Sequence, residues 1–287
     1  MRATIRNRPR PSGIAALAFL LSAIALYATV IAKLFSDWWA DPDYSHAFLV
    51  VPLAGLFAWH RRADLIRAER AGSTIGLPIV CLALLLLIVG TLGAELFLTR
   101  VSLLIFVAGS VLFLFGWRHL RLLMFPLTLV LLTIPIPAIV ISRLTLSLQL
   151  AASNIAEVTL NALRIPVLRE GNVLVLPNAA LQVAEACSGI RSLTALITLA
   201  LLVARFSESR WGPRTIIVLS AIPIAVLVNG LRVAAAAIGA YFYGTSAVEG
   251  FVHELLGWLM FLLAFALMAG CARAMRGRPP RARLAMP

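Results

Sequence analysis

Within eight residues, Glu185-Ala-Cys187-Ser-Gly-Ile-Arg191-Ser192, the chain places a carboxylate, a thiol, two hydroxyls and a guanidinium, immediately before the largely apolar run Leu193 to Ala204. Ionisable groups at a membrane boundary are costly and tend to mark function. A thiolate is the competent nucleophile, and its pKa falls at a helix N-terminus or beside a cation. If a helix begins here, Cys187 has both aids. The orphan amides of its first turn favour negative charge, and Arg191, four residues on, shares its helical face. Arg191 is equally suited to pairing with Glu185 or Glu254.

Two further stretches carry the groups that thiol chemistry needs. His253, in His253-Glu254-Leu-Leu-Gly257, has the side chain to act as base toward a thiol and acid toward a leaving amine. Arg232, in Asn229-Gly-Leu-Arg232, supplies a fixed cation for the oxyanion of a tetrahedral intermediate. It is also placed to snorkel at an interface, although Asn229, three residues earlier on the same face, is a pairing that snorkelling does not need. Cysteine, histidine and arginine together suggest acyl transfer through a thioester. His46 fits either a supporting group in such a site or an interfacial hydrogen-bonding residue. Glu185 is a plausible orienting group.

These groups converge only if the intervening elements bring them to one place. Of the 287 residues, 61% are hydrophobic and 13% charged, against roughly 25% charged in soluble domains. The composition is that of an all-α, polytopic integral membrane protein. A spanning helix needs about 20 apolar residues, and eight candidates follow, at 13–35, 45–60, 75–93, 101–117, 122–141, 187–204, 214–232 and 254–272. With the N-terminus inside, 18 of the 25 basic residues fall in inside segments and 7 at the outer face, the positive-inside bias. Both termini, 1–12 and 273–287, are then cytoplasmic, and alternation brings Cys187, Arg232 and His253 to the outer face. The net charge of +13 thus reads as membrane orientation. It does not point to nucleic acid, because apolar runs separate the arginines.

The basic N-terminus leads into an apolar stretch too long for a signal-peptide core, so the first segment is expected to remain as a peripheral packing helix. Trp38, Trp39 and Tyr44 suit an interfacial aromatic belt. No internal repeat or soluble domain interrupts the spans, and 1–287 reads as a single membrane domain. The one long outer insert, 142–186, begins with apolar residues at helical spacing mixed with polar ones, a helix lying on the surface or over a cavity. It continues, over 171–184, as two short strands around Pro177-Asn178, a hairpin that must pack on something to persist. Three scattered cysteines, Cys81, Cys187 and Cys271, make no disulfide framework, and without Cys-x-x-Cys or His-x-x-x-His spacing no metal site or cofactor is expected. Cys81 and Cys271 read as packing residues.

The blocks Glu-Ala-Cys187-Ser-Gly-Ile-Arg191-Ser-Leu, Asn229-x-x-Arg232 and His253-x-x-x-Gly257 resemble the signature blocks of the exosortase/archaeosortase family. So do Trp38-Trp-Ala-Asp41-Pro42-Asp-Tyr44-Ser45-His46 and Pro135-Ile-Pro137, and the resemblance runs from about residue 36 to 265. It implies a sorting enzyme of the bacterial inner membrane, with its active site facing the periplasm. Such an enzyme cleaves the C-terminal tails of exported, membrane-anchored proteins: a Pro-Glu-Pro-like motif, a span and a basic end. The new carboxyl passes to an acceptor nucleophile. On that resemblance Cys187 is the nucleophile, with Arg232 and His253 completing a triad. The rival readings are a transporter, against which inverted repeats and broken mid-membrane helices are not evident, and a non-catalytic membrane subunit of a polysaccharide export system.

Overall fold

The computed structural model describes residues 13–183, 190–207, 210–244 and 250–275, with the side chains of Ile190, Arg191, Ser192 and His253 among those not described. The described residues form ten helices and one three-stranded sheet, an all-α membrane architecture with a small β element. They divide into two compact units, Met1–Pro137 and Ala138–Pro287.

The first unit holds α1 (Gly13–Ala40), α2 (Ala47–His60), α3 (Arg62–Arg67), α4 (Gly76–Leu92), α5 (Leu96–Leu114) and α6 (Trp117–Leu131). Tyr27, Val30 and Leu34 of α1 pack on Ala83 and Leu87 of α4 and Phe106 of α5. The first helix does more than pack, however. Its Tyr27 hydroxyl shares a 3.3 Å hydrogen bond with Ser102 of α5, and its Asp37 carboxylate pairs with Arg100 of the same helix. Arg100 is only 4% exposed, and Lys33 Nζ lies 3.2 Å from the other Asp37 oxygen. An arginine counted from sequence as an outer-face charge is therefore a buried ion-pair partner.

The expected span at 122–141 is broken. Helix α6 stops at Leu131 and the next helix starts at Ala138, because Pro135 and Pro137 lack amide donors and hold the residues before them extended. The break is fastened by side chains: Trp38 Nε1 donates to the Thr133 carbonyl at 2.9 Å, and the Ile136 amide donates to the Tyr44 hydroxyl at 3.1 Å. Tyr44 is buried, and that burial raises its phenol pKa above the ordinary value, so the hydroxyl stays neutral. Trp38 and Tyr44 are thus ties to the break, whereas Trp39, 79% exposed, keeps the character of an interfacial aromatic.

The second unit holds α7 (Ala138–Ala162), β1 (Leu168–Glu170), β2 (Val173–Leu176), β3 (Ala179–Gln182), α8 (Ile190–Ser207), α9 (Trp211–Tyr243) and α10 (Phe251–Met275). The antiparallel sheet runs in the order β1-β2-β3. Its Pro177-Asn178 turn lies where expected, and the strand β1 is an addition to the expected hairpin. Gly171, at φ +65°, makes the tight turn that β1 requires. Leu174 and Leu176 of β2 point into a core with Ala152, Ala156 and Leu160 of α7 and Val233, Ala234 and Ala237 of α9. This is the support that a short sheet needs. Polar ties complete it: Ser153 Oγ donates to the Gly171 carbonyl at 3.0 Å, Arg169 Nε to Glu157 at 2.6 Å, and Asn178 Nδ2 to the Tyr241 carbonyl at 2.7 Å.

Among the described residues, five helical segments are long and apolar enough to cross a membrane: Leu17–Ala40, Leu96–Leu114, Ala138–Ala162, Trp211–Tyr243 and Glu254–Met275. Ala47–His60, Gly76–Leu92 and Leu193–Ser207 are shorter apolar helices. These elements do not reproduce the expected set of eight, since α7, whose residues from Ser142 on were expected to lie on the surface or over a cavity, qualifies by length and composition and the 122–141 span does not.

Candidate active site

Three antiparallel helices of the second unit carry the residues in question. At one end of this bundle Ala204 of α8, Ile217 of α9 and Ala272 of α10 meet. In the layers above, Leu196 and Ala200 of α8 pack with Ala221, Ala225 and Val228 of α9 and Ala264 and Met268 of α10, flanked by Leu193 and Met260. Residue numbers fall along α8 and α10 while they rise along α9. The N-termini of α8 and α10 and the Asn229–Arg232 stretch of α9 therefore reach the same end. Small side chains dominate the seam, which is how helices approach closely in an apolar medium.

Arg232 is half-buried and turns toward α10. A Cβ on Gly257 would lie 3.4 Å from Arg232 Nη2 and 3.6 Å from Cζ, so the bare glycine backbone forms the floor under the guanidinium. His253 is four residues before Gly257 in the same helix, hence on the same face and about 6 Å along the axis. The structure thus brings Arg232 to within a helical turn of the His253 backbone. Sequence reading carried Gly257 along as the end of a motif; its spacing from His253 was the signal that it serves the same face.

Asn229, one turn before Arg232, is 6% exposed. Between them Gly230 is pressed on α7, where a Cβ would come 2.5 Å from the Ile155 Cβ. That close approach fixes the rotation of α9, and with it the direction in which Arg232 leaves the helix. Cys187 and Glu185 lie outside the described residues; α8 begins three residues after Cys187, at Ile190, with Arg191 second in the helix. Glu254 is exposed in the first turn of α10. His46 belongs to the first unit, where its Nδ1 lies 3.1 Å from the Asp43 carbonyl and its ring tilts against Tyr44. Cys81 is exposed on α4 and Cys271 partly exposed on α10; the packing role expected of Cys81 does not hold.

No curated protein and no solved structure gives a significant match to the chain. A family model described as transmembrane exosortase matches residues 38–270. That match covers the proline break between α6 and α7, the sheet, and all three blocks around Cys187, Arg232 and His253, and the chain belongs to the transmembrane exosortase family.

Proposed function

We propose that this chain is a cysteine protease or transpeptidase of the bacterial inner membrane. It cleaves C-terminal sorting signals of exported proteins at the periplasmic face and passes the new C-terminus to an acceptor. The observation that carries the reading is the seat of Arg232 against Gly257, a turn from His253, at the bundle end where α8 begins three residues after Cys187.

The Cys187 thiolate attacks the scissile carbonyl, and the carbonyl electrons move onto oxygen, where the fixed Arg232 guanidinium balances the developing charge. His253, having taken the thiol proton, returns it to the departing amine as the C–N bond breaks. A thioester remains on Cys187. An acceptor nucleophile, or water, attacks the thioester, loses its proton to His253 and releases the thiolate. The substrate's tail is itself a membrane segment, so it reaches the site laterally through the bilayer. To the sheet and α7 we assign the task of limiting water at the thioester, which favours transfer over hydrolysis.

The test is co-expression with a periplasmic reporter ending in a Pro-Glu-Pro motif, one span and terminal arginines. The expected result is a shortened reporter lacking its span. A reporter of unchanged mass beside abundant, correctly inserted enzyme overturns the proposal.

The Gly257 floor gives a sharper check. Gly257→Val drives a branched side chain into the space under the guanidinium, and an ~1 Å displacement of a catalytic group costs on the order of 10²-fold in rate. Gly257→Ala adds a Cβ at ordinary contact distance, and alanine is the better helix former. Reporter cleavage should therefore fall steeply with valine and mildly with alanine, while thermal stability in detergent is unchanged or higher with alanine. Equal cleavage by both variants would separate Arg232 from the reaction.

A further inference from the structure

The edge of β3 faces no described partner, and its geometry suits one kind of ligand. The Val183 amide donates to the Asn172 carbonyl at 2.9 Å, and Asn172 and Val183 continue the β2–β3 register in which Leu174 opposes Leu181 and Val175 opposes Ala180. Hydrogen-bonded pairs alternate with non-bonded pairs in an antiparallel ladder. Residues 179, 181 and 183 therefore bond to β2, and Ala180 and Gln182 turn their amides and carbonyls outward. No other described residue is hydrogen-bonded to these four groups, and both side chains are exposed.

Open edges are normally guarded by charge. The opposite edge of the sheet follows that rule: β1 carries Arg169 and Glu170, with Arg169 tied to Glu157 of α7. In contrast β3, Ala179-Ala-Leu-Gln182, carries no charge. It is also the strand that leads into the nucleophile. Cys187 follows Gln182 by five residues, a reach of at most about 18 Å, whereas an added strand lies only about 4.8 Å away.

We infer that the edge of β3 binds the substrate as an added β-strand, an inference that rests on the proposed cleavage of membrane-anchored tails. The occupant is the extended segment just before the scissile bond. Beyond that bond the substrate is a spanning helix whose amides are satisfied internally, but the residues before it reach the membrane boundary with main-chain groups that need partners. The outward amides and carbonyls of Ala180 and Gln182 supply them, and main-chain pairing accepts many side chains while fixing the register of the cut.

Ala180→Pro removes an outward amide and leaves the β2 ladder whole, a placement that an edge strand tolerates. With purified full-length enzyme in lipid vesicles and a tail reporter, Ala180→Pro should keep the wild-type melting temperature and the wild-type rate of Cys187 alkylation by iodoacetamide. Its kcat/KM should fall about 5- to 30-fold, what one or two main-chain hydrogen bonds are worth. Independently of whether the proline variant folds, a scan of single N-methyl groups through the reporter segment, read with wild-type enzyme, should slow cleavage at every second residue. A wild-type enzyme that cuts no tail removes the parent function. A wild-type enzyme that cuts, with no two-residue period and an unimpaired Ala180→Pro, overturns the edge inference alone. So does an Ala180→Pro variant that loses self-association and keeps cleavage, since it assigns the edge to a second copy of the chain.

Discussion

Cys187→Ala is expected to accumulate and insert like wild type and to leave the tail reporter uncut, with a loss of at least ~10³-fold, the scale on which nucleophile removal disables covalent catalysis. The loss follows from the chemistry assigned to each group. Without sulfur there is no atom to carry the acyl group, and the Arg232 guanidinium has no tetrahedral oxyanion to stabilise. Cys187→Ser should fail nearly as fully, because a hydroxyl is a far weaker nucleophile at neutral pH than a thiol. Cys81→Ala, on α4 of the first unit, and Cys271→Ala, next to Ala272 at the far end of the bundle, should cut at the wild-type rate. In the wild type, a reporter-enzyme conjugate that hydroxylamine releases and Cys187→Ala lacks identifies the thioester. Full cleavage by Cys187→Ala would instead make this chain a non-catalytic subunit.

Asp37→Ala is expected to be the most damaging substitution in the first unit. Arg100 is almost wholly buried and has Asp37 as its ion-pair partner among the described residues, and Asp37 also faces Lys33. Taking away one member of a buried pair strands the other charge without water, at a cost of about 3–5 kcal/mol. Replacing both charges with apolar groups removes the stranded charge, and such replacements are commonly neutral. The expected series in detergent is therefore a large fall in melting temperature for Asp37→Ala, an intermediate one for Asp37→Asn, and recovery of most of the loss for Asp37→Leu combined with Arg100→Leu. If Asp37→Ala melts with wild type, the pair does not hold α1 to α5. Cleavage by the recovered double variant would further separate the pair from catalysis.

The sequence was most readable where one physical constraint acts alone. Long apolar runs must become helices in a bilayer because each backbone amide needs a partner, and helices stand wherever a span was expected, apart from the proline break. The Pro177-Asn178 turn was legible for the same reason, its chemistry being local. Reading failed where two constraints compete. At residues 122–141 hydropathy favours a continuous span, but Pro135 and Pro137 remove donors and end the helix. Over 142–162 the mixture of apolar and polar residues suggested a helix lying on the surface or over a cavity; its polar Gln149 and Ser153 are buried, hydrogen-bonded to Asn172 and Gly171 of the sheet region. Arg100 was counted only as an outer-face charge, because no local feature reveals that Asp37, 63 residues earlier, meets it.

The candidate site divides in the same way. Residue types and spacing alone determine a membrane chain with a thiol shortly before one apolar helix and an arginine and a histidine on later ones, because hydropathy, charge bias and motif chemistry are properties of short stretches. Only the tertiary structure decides that Arg232 turns onto the bare backbone of Gly257 beside His253, that Gly230 against Ile155 sets the rotation allowing it, and that β3 keeps an unguarded edge on the way to Cys187. Those outcomes depend on how closely separate helices and strands approach, and close approach is settled by the fit of side chains distant in sequence.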